Sequence, residues 1–434
     1  MGTLDKVKGL VENPPKEYRS APFWGWNDRL QKENLGEQIE GFKKAGMGGF
    51  FIHSREGLET EYLSTEWMED VKFCVDKARE NDLELWIYDE DKWPSGAAGG
   101  KVSRVNPAEF TARALTMECG KAGELAVPAK LSNEEERTVT GDSDSIMCGG
   151  NRSTDENFMS GRNGSEDLAV EETMETEFLQ GVYVIQTAAD GRFIKRMKEY
   201  LTYEEAAGAC GVDEEILLLR QEISGKSEWY NGLMPPDNLN PESVKTFLKL
   251  THEHYEEVFG GSFPKEVKGF FTDEPNCCDF FSVFHEGRPW IPWSIGFTEY
   301  FIEKRGYDPQ EKLPYLFFDG EGAEKIRHDY WKTVAQRFEE SYMKQVYEWC
   351  DKRGLRTTGH ILYENDLGYQ TRVCGAAMPQ LRYLHNPGID LLGAQTDEYL
   401  TVKQCASVAH QYERSMTISE AYGCTGWELD FSTQ

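Results

Sequence analysis

No stretch of this chain approaches the ~20 consecutive apolar residues that a membrane-spanning helix needs. Its opening residues, Met1-Gly2-Thr3-Leu4-Asp5-Lys6, also lack the apolar core of a secretion signal. The two absences predict a cytoplasmic protein that does not engage a membrane. Basic residues are scarce: 47 Lys and Arg stand against 76 Asp and Glu, for a net charge of -29. A surface of that sign repels phosphate backbones, so nucleic-acid binding is not expected. The ten cysteines are scattered, and the one close pair, Cys277-Cys278, forms neither a C-x-x-C clamp nor a disulfide ladder. They read as reduced, mostly packed thiols. No H-x-H or H-E-x-x-H spacing marks zinc. Gly46, Gly48 and Gly49 precede a strand instead of opening a helix, which argues against a phosphate cradle.

What is present is an alternation of short apolar runs with amphipathic helices. Phe23-Trp24-Gly25-Trp26-Asn27, Gly48–His53 and Leu83–Asp89 read as three buried strands. Between them, Leu35, Ile39 and Phe42 fall at helical spacing, as do Trp67, Val71, Cys74, Val75 and Ala78 after the helix start at Ser64-Thr65-Glu66. From about residue 101 to 234 the helical period disappears, and strand-like runs at 181–185 and 216–219 flank a polar tract near 133–175. The pattern resumes at the helix start Asn240-Pro241-Glu242-Ser243. A fourth strand ends at Glu274, a fifth spans Leu355–Leu362, a sixth Gly388–Gly393, and a seventh ends at Glu420. The expectation is therefore an α/β fold, a (β/α)8 barrel with seven identifiable strands, its eighth unit lying beyond residue 434. The barrel would occupy 1–100 and 236–434, with a β-rich module bearing a flexible acidic loop inserted at 101–235.

Two of these strands end alike, in Phe271-Thr272-Asp273-Glu274 and in Thr417-Ile418-Ser419-Glu420. A charge at the exit of a buried strand is costly, so two such exits point to one shared site. In a parallel barrel the C-terminal strand ends face one pocket. These ends carry Trp24, Trp26, Asn27, His53, Arg55, Asp89, Asp91, Trp93, Asp273, His360, Asn365, Tyr422 and Trp427. Carboxylates, amides and histidines suit sugar hydroxyls, and flat indoles suit the C–H faces of a pyranose, so a carbohydrate is the expected partner. Cleaving a glycosidic bond needs two carboxyl groups, and Glu274 and Glu420 are the natural pair. Each has a plainer reading as a buried partner of an Arg or as a helix cap. The acidic turn Asp89-Glu90-Asp91 lacks the alternating ligand pattern of a calcium loop, so its expected role is substrate contact. Trp67, Trp86, Trp331 and Trp349 fall at helical or mid-strand positions and read as core. A metal-dependent hydrolase and a non-catalytic carbohydrate-binding protein on the same barrel remain the alternatives.

Four segments in order carry a further likeness: Ala21-Pro22-Phe23-Trp24-Gly25-Trp26-Asn27, Ala45–Phe51, Tyr62–Trp67, and Leu85-Trp86-Ile87-Tyr88-Asp89-Glu90-Asp91-Lys92-Trp93-Pro94-Ser95-Gly96. They resemble the catalytic region of glycoside hydrolase family 106, which contains α-L-rhamnosidases. The resemblance covers roughly 15–100 and 240–430. It implies a (β/α)8 barrel, an inverting mechanism, an acid at Glu274 and a base at Glu420. Some members of that family use calcium near the substrate, but no position here matches a metal motif, so no cofactor is expected apart from that possible calcium. The family's downstream β-sandwich domains have no counterpart in this sequence.

Overall fold

The computed structural model describes residues 3–125, 177–277, 288–393, 398–426 and 428–430. The chain opens with strands β1 (Phe23–Trp26), β2 (Gly49–Ser54) and β3 (Glu84–Tyr88). It then builds β4 (Arg113–Gly120), β5 (Glu177–Thr187), β6 (Ile194–Tyr200) and β7 (Glu215–Ile223). After β8 (Gly269–Asp273) and β9 (Trp290–Trp293) it finishes with β10 (Arg356–His360), β11 (Asn386–Leu391) and β12 (Ile418–Ala421). Two compact units result. One comprises Met1–Asn106, Lys226–Asp279 and Val334–Gln434, the other Pro107–Gly225 and Phe280–Thr333.

The first unit holds a seven-stranded sheet in the order β1-β2-β3-β8-β10-β11-β12, parallel at every pairing. This corrects the expected closed (β/α)8 barrel. Closure requires the first and last strands to share backbone hydrogen bonds. Among the described residues β1 pairs with β2 alone and β12 with β11 alone, so the sheet is a half-barrel with two edges. Phe23 and Gly25 of β1 and residues 418–421 of β12 instead line a cavity of about 770 Å³. The second unit is a five-stranded antiparallel sheet, β6-β5-β7-β4-β9, with a helix, Tyr203–Ala209, whose Ala206 packs on Leu179, Val182, Val184, Ile216 and Leu218. It takes in 288–333 as well as the β-rich stretch, because Trp290–Thr116 and Trp293–Arg113 pairing joins β9 to β4. The polar tract 133–175 lies outside the described residues.

Strand alternation decides which side chains face the site. Phe23, Phe51, Trp86, Tyr88 and Phe271 form one apolar layer on one face of the parallel sheet. Trp24 and Trp26 point the other way. Trp24 Nε1 donates to Gln38 Oε1 (2.7 Å) on the helix Lys32–Lys44, and Trp26 packs edge-on against Trp67 on the helix Thr65–Glu80. That second helix starts where its cap sequence predicts: Ser64 Oγ accepts from the Trp67 amide, and Trp67, Val71, Cys74, Val75 and Ala78 are buried. Asn240 likewise caps the helix Pro241–Leu248 through the Glu242 amide. Among the described residues no helix is long and apolar enough to cross a membrane, and eight cysteines are free thiols.

Candidate active site

Register brings the acidic strand ends together. Asp273 pairs with His360 across β8 and β10, and Asp390 pairs with Glu420 across β11 and β12. The tight approach of β10 depends on Gly359 (φ +145°), where a Cβ would lie 1.9 Å from the Thr272 carbonyl oxygen. No larger residue fits there. Glu274 follows Asp273 directly and would ordinarily point to the opposite face. Its left-handed backbone (φ +45°) breaks that alternation and returns its carboxyl to the same cluster. Tyr363 and Tyr422 also hold positive φ beside this site.

The centre of the cluster is His360, 1 % exposed. Its Nε2 lies 3.0 Å from Asp273 Oδ1, 3.8 Å from Glu274 Oε1, 3.9 Å from Asp390 Oδ2 and 3.9 Å from Glu420 Oε2. Burial alone would depress its pKa, but contact with Asp273 and the charges of Asp273, Glu274 and Glu364 outweigh it, so His360 is held well above its ordinary value. Burial works against the Asp273 carboxylate, yet His360 and the Tyr88 hydroxyl, which donates to Oδ2 at 2.6 Å, keep its pKa below the ordinary value.

Both glutamates are raised above the ordinary carboxylate range. Burial pushes Glu274 up to about 7, with Asp273 and Asp390 adding to the rise and His360 opposing it. Burial pushes Glu420 up to about 8, with Asp273 the next contributor. Glu364, just behind the cluster, accepts from the Asp390 amide and is raised by burial to about 8. His53 is stacked on Tyr88 with centroids 3.7 Å apart, and burial lowers it to about 3. It is therefore neutral, and its Nε2 meets no hydrogen-bond partner among the described residues.

A braced loop after β3 holds Glu274 in place. The Trp93 indole N–H donates to Glu274 Oε2. Ser95 ties the loop to both neighbouring strand ends: its Oγ donates to Asp89 Oδ1 (2.6 Å) and accepts from the Asp273 amide (2.8 Å), while its amide donates to the Asp273 carbonyl (2.8 Å). The buried Glu90 carboxylate accepts from the amides of Asp91, Gly96, Ala97, Ala98 and Gly99. Glu90 and Asp89 are thus structural anchors.

The fold is similar to that of a solved rhamnosidase. The rhamnosidase from Novosphingobium sp. PP1Y superposes with a TM-score of 0.59 at 14 % identity, over 96 % of this chain and 53 % of that one. The chain therefore spans about half the length of the rhamnosidase, and at this identity the likeness is one of fold. No family model and no curated protein matches the sequence.

Within this rhamnosidase-like fold the residues expected at the pocket divide. Asp273, Glu274, His360 and Glu420 converge, His53 and Arg55 line the cavity with Asp273 and Glu420, and Tyr422, 44 % exposed, lies at its rim. Trp93 reaches the site through Glu274. Trp24 and Trp26 are corrected to the outer face, where they pack on helices. Asp89, fully buried, is turned away by strand parity, and Asp91 binds Ser54 and Asn231 in the loop. Asn27, directly after β1, and Asn365, on a turn, are exposed, and Trp427 lies outside the described residues. Tyr88 escaped the sequence reading. Its signal is the same parity, because Trp86 and Tyr88 alternate with Ile87 and Asp89.

Asp273, His360 and Glu420, and likewise Glu274, His360 and Asp390, place ligand-type atoms within 4.8 Å of one another. Calcium takes about six to eight oxygen ligands. Each set offers three ligand atoms, one of them a histidine nitrogen, so the donors do not fit calcium and no step is routed through it.

Proposed function

We propose that this protein is a glycoside hydrolase that cleaves a glycosidic bond with Glu274 as general acid and Glu420 as general base. The observation that carries the reading is the convergence of both glutamates on His360 Nε2, at 3.8 and 3.9 Å. Their nearest oxygens are therefore at most about 8 Å apart, a limit that admits both the ~5–5.5 Å of retaining pairs and the shorter part of the ~6.5–9.5 Å range of inverting ones. The family resemblance and the rhamnosidase-like fold favour an α-L-rhamnoside, in a small oligosaccharide or glycoconjugate, and inversion at the anomeric carbon.

In this scheme Glu274 Oε2 accepts the Trp93 N–H, so the transferable proton sits on Oε1. Glu274 gives that proton to the leaving oxygen as the bond to the anomeric carbon breaks. Glu420, ionised, takes a proton from the water that attacks the opposite face. The products are a free sugar and an alcohol, and proton exchange with solvent resets both glutamates. Asp273 and Asp390 face the developing oxocarbenium charge, and His360 keeps the group of carboxylates from repelling one another. The neutral His53 offers a nitrogen to a sugar hydroxyl.

The test is hydrolysis of a panel of 4-nitrophenyl glycosides, including the α-L-rhamnoside, by wild type, Glu274→Gln and Glu420→Gln. Both variants are expected to lose at least about a hundredfold in kcat. Full activity in either variant removes that residue from the mechanism. Following the first-formed anomer by proton NMR decides between inversion and retention.

A further inference from the structure

Exposure rises along one chain of contacts that leads out from His360. His360 is 1 % exposed, the Glu274 side chain 14 %, Trp93 half-buried, and Trp229 42 % exposed. Among the described tryptophans only Trp229 is exposed to solvent in this way. It is joined to the acid by contacts: its Nε1 donates to the Trp93 carbonyl, and the two rings meet at 82° with centroids 6.2 Å apart. They make an aromatic corner whose inner wall is fixed to Glu274.

The loop that presents Trp229 is built, not loose. Ser227 Oγ caps the short turn Glu228–Tyr230 by accepting the Trp229 amide, and Ser227 bridges to Leu233. Asn231, in left-handed backbone, donates to Asp91 Oδ2 (2.9 Å) and to the Gly99 carbonyl (3.1 Å). Lys92 Nζ lies 5.8 Å from the Trp229 ring centroid. An indole held in place at 42 % exposure presents a flat apolar face on which a sugar ring or an aryl group can stack.

The general acid must face the leaving group, and the leaving group must exit towards solvent. We infer that Trp229, with Trp93 behind it, is the stacking platform for the leaving-group portion of the substrate, taking the flat apolar face of a sugar ring or aryl aglycone. This rests on the proposed role of Glu274. Trp229 acts on binding, and its hydrogen bond to Trp93 is secondary.

The experiment is calorimetric titration with phenyl 1-thio-α-L-rhamnopyranoside, which resists hydrolysis, and with methyl α-L-rhamnopyranoside, which lacks the flat leaving group. Wild type is expected to bind the phenyl compound about tenfold more tightly. Trp229→Ala abolishes that preference and leaves the methyl glycoside unaffected. Trp229→Phe, which keeps a ring but loses the N–H, retains most of it. The inference is overturned if wild type shows no preference or binds neither compound, if Trp229→Ala keeps the preference, or if Trp229→Phe loses as much as Trp229→Ala. Turnover of 4-nitrophenyl α-L-rhamnopyranoside is measured in parallel. A phenyl preference without turnover leaves the platform standing and defeats the hydrolytic reading, and turnover without the preference does the reverse.

Discussion

Replacing Trp93 with phenylalanine removes the indole N–H that Glu274 accepts and keeps an aromatic ring in its place. The indole N–H points at Oε2 of a carboxyl whose side chain is 14 % exposed, so water does not readily take its place. A hydrogen bond to a carboxylate contributes roughly 1.5–3 kcal/mol and one to a neutral acid roughly 0.5–1.5 kcal/mol. The donor therefore favours the ionised form by about 1 kcal/mol, which converts to somewhat under one pKa unit. Without it, Glu274 is expected to titrate higher than its value of about 7. The measurement is ¹³C NMR of glutamate carboxyls across pH, with Glu274→Gln supplying the assignment. Kinetics add a second readout. With Oε2 released, the proton is no longer confined to Oε1, so turnover of substrates with poor leaving groups falls while activated aryl glycosides are nearly spared. A Glu274 titration that stays put or moves down in Trp93→Phe refutes the reasoning, because a lost donor cannot favour the carboxylate.

The remaining expectations are shorter. Glu274 is raised to about 7 and Glu420 to about 8, so the coupled pair holds one proton between those values; only the form with that proton on Glu274 is productive, so kcat/KM should peak there and fall on both sides in a pH–rate profile. Glu364 is raised from 4.5 to about 8, so the folded state holds a proton that the unfolded state releases, and stability is lost as pH rises through that window. Glu364→Gln should remove about 3–5 kcal/mol of that loss in urea melts compared at pH 5 and pH 9. Trp24→Phe should cost about 1–2 kcal/mol through the lost bond to Gln38 and reduced packing, with activity retained, which separates core from pocket. Gly359→Ala should cost about 3 kcal/mol or more and abolish activity, since the Cβ meets the Thr272 carbonyl and forces β10 with His360 away from Asp273; a wild-type melting curve would contradict the packing described.

Local chemistry was readable from the chain alone. Ser64 and Asn240 cap helices because a side-chain oxygen a few bonds from an amide needs no distant partner. The acidic strand ends were visible because a strand is short and its exit is marked by a change of polarity. Parity was readable in principle but not in phase: alternation says that Phe23 and Trp24 face opposite ways, and only packing on Gln38 and Trp67 says which way is out. The left-handed turn at Glu274 is invisible in sequence, because glutamate carries no preference for it and the surrounding contacts impose it.

By itself, the sequence determined an α/β chain with two glutamates at strand ends, an acidic surface and helices that begin at particular caps, all of which depend on neighbours along the chain. Tertiary structure alone decided that the parallel sheet stays open, that residues near 290 join an antiparallel sheet, and that His360 gathers four carboxylates. Those outcomes rest on backbone pairing between strands far apart in sequence, where the free energy of an edge or a buried charge depends on what the fold brings beside it.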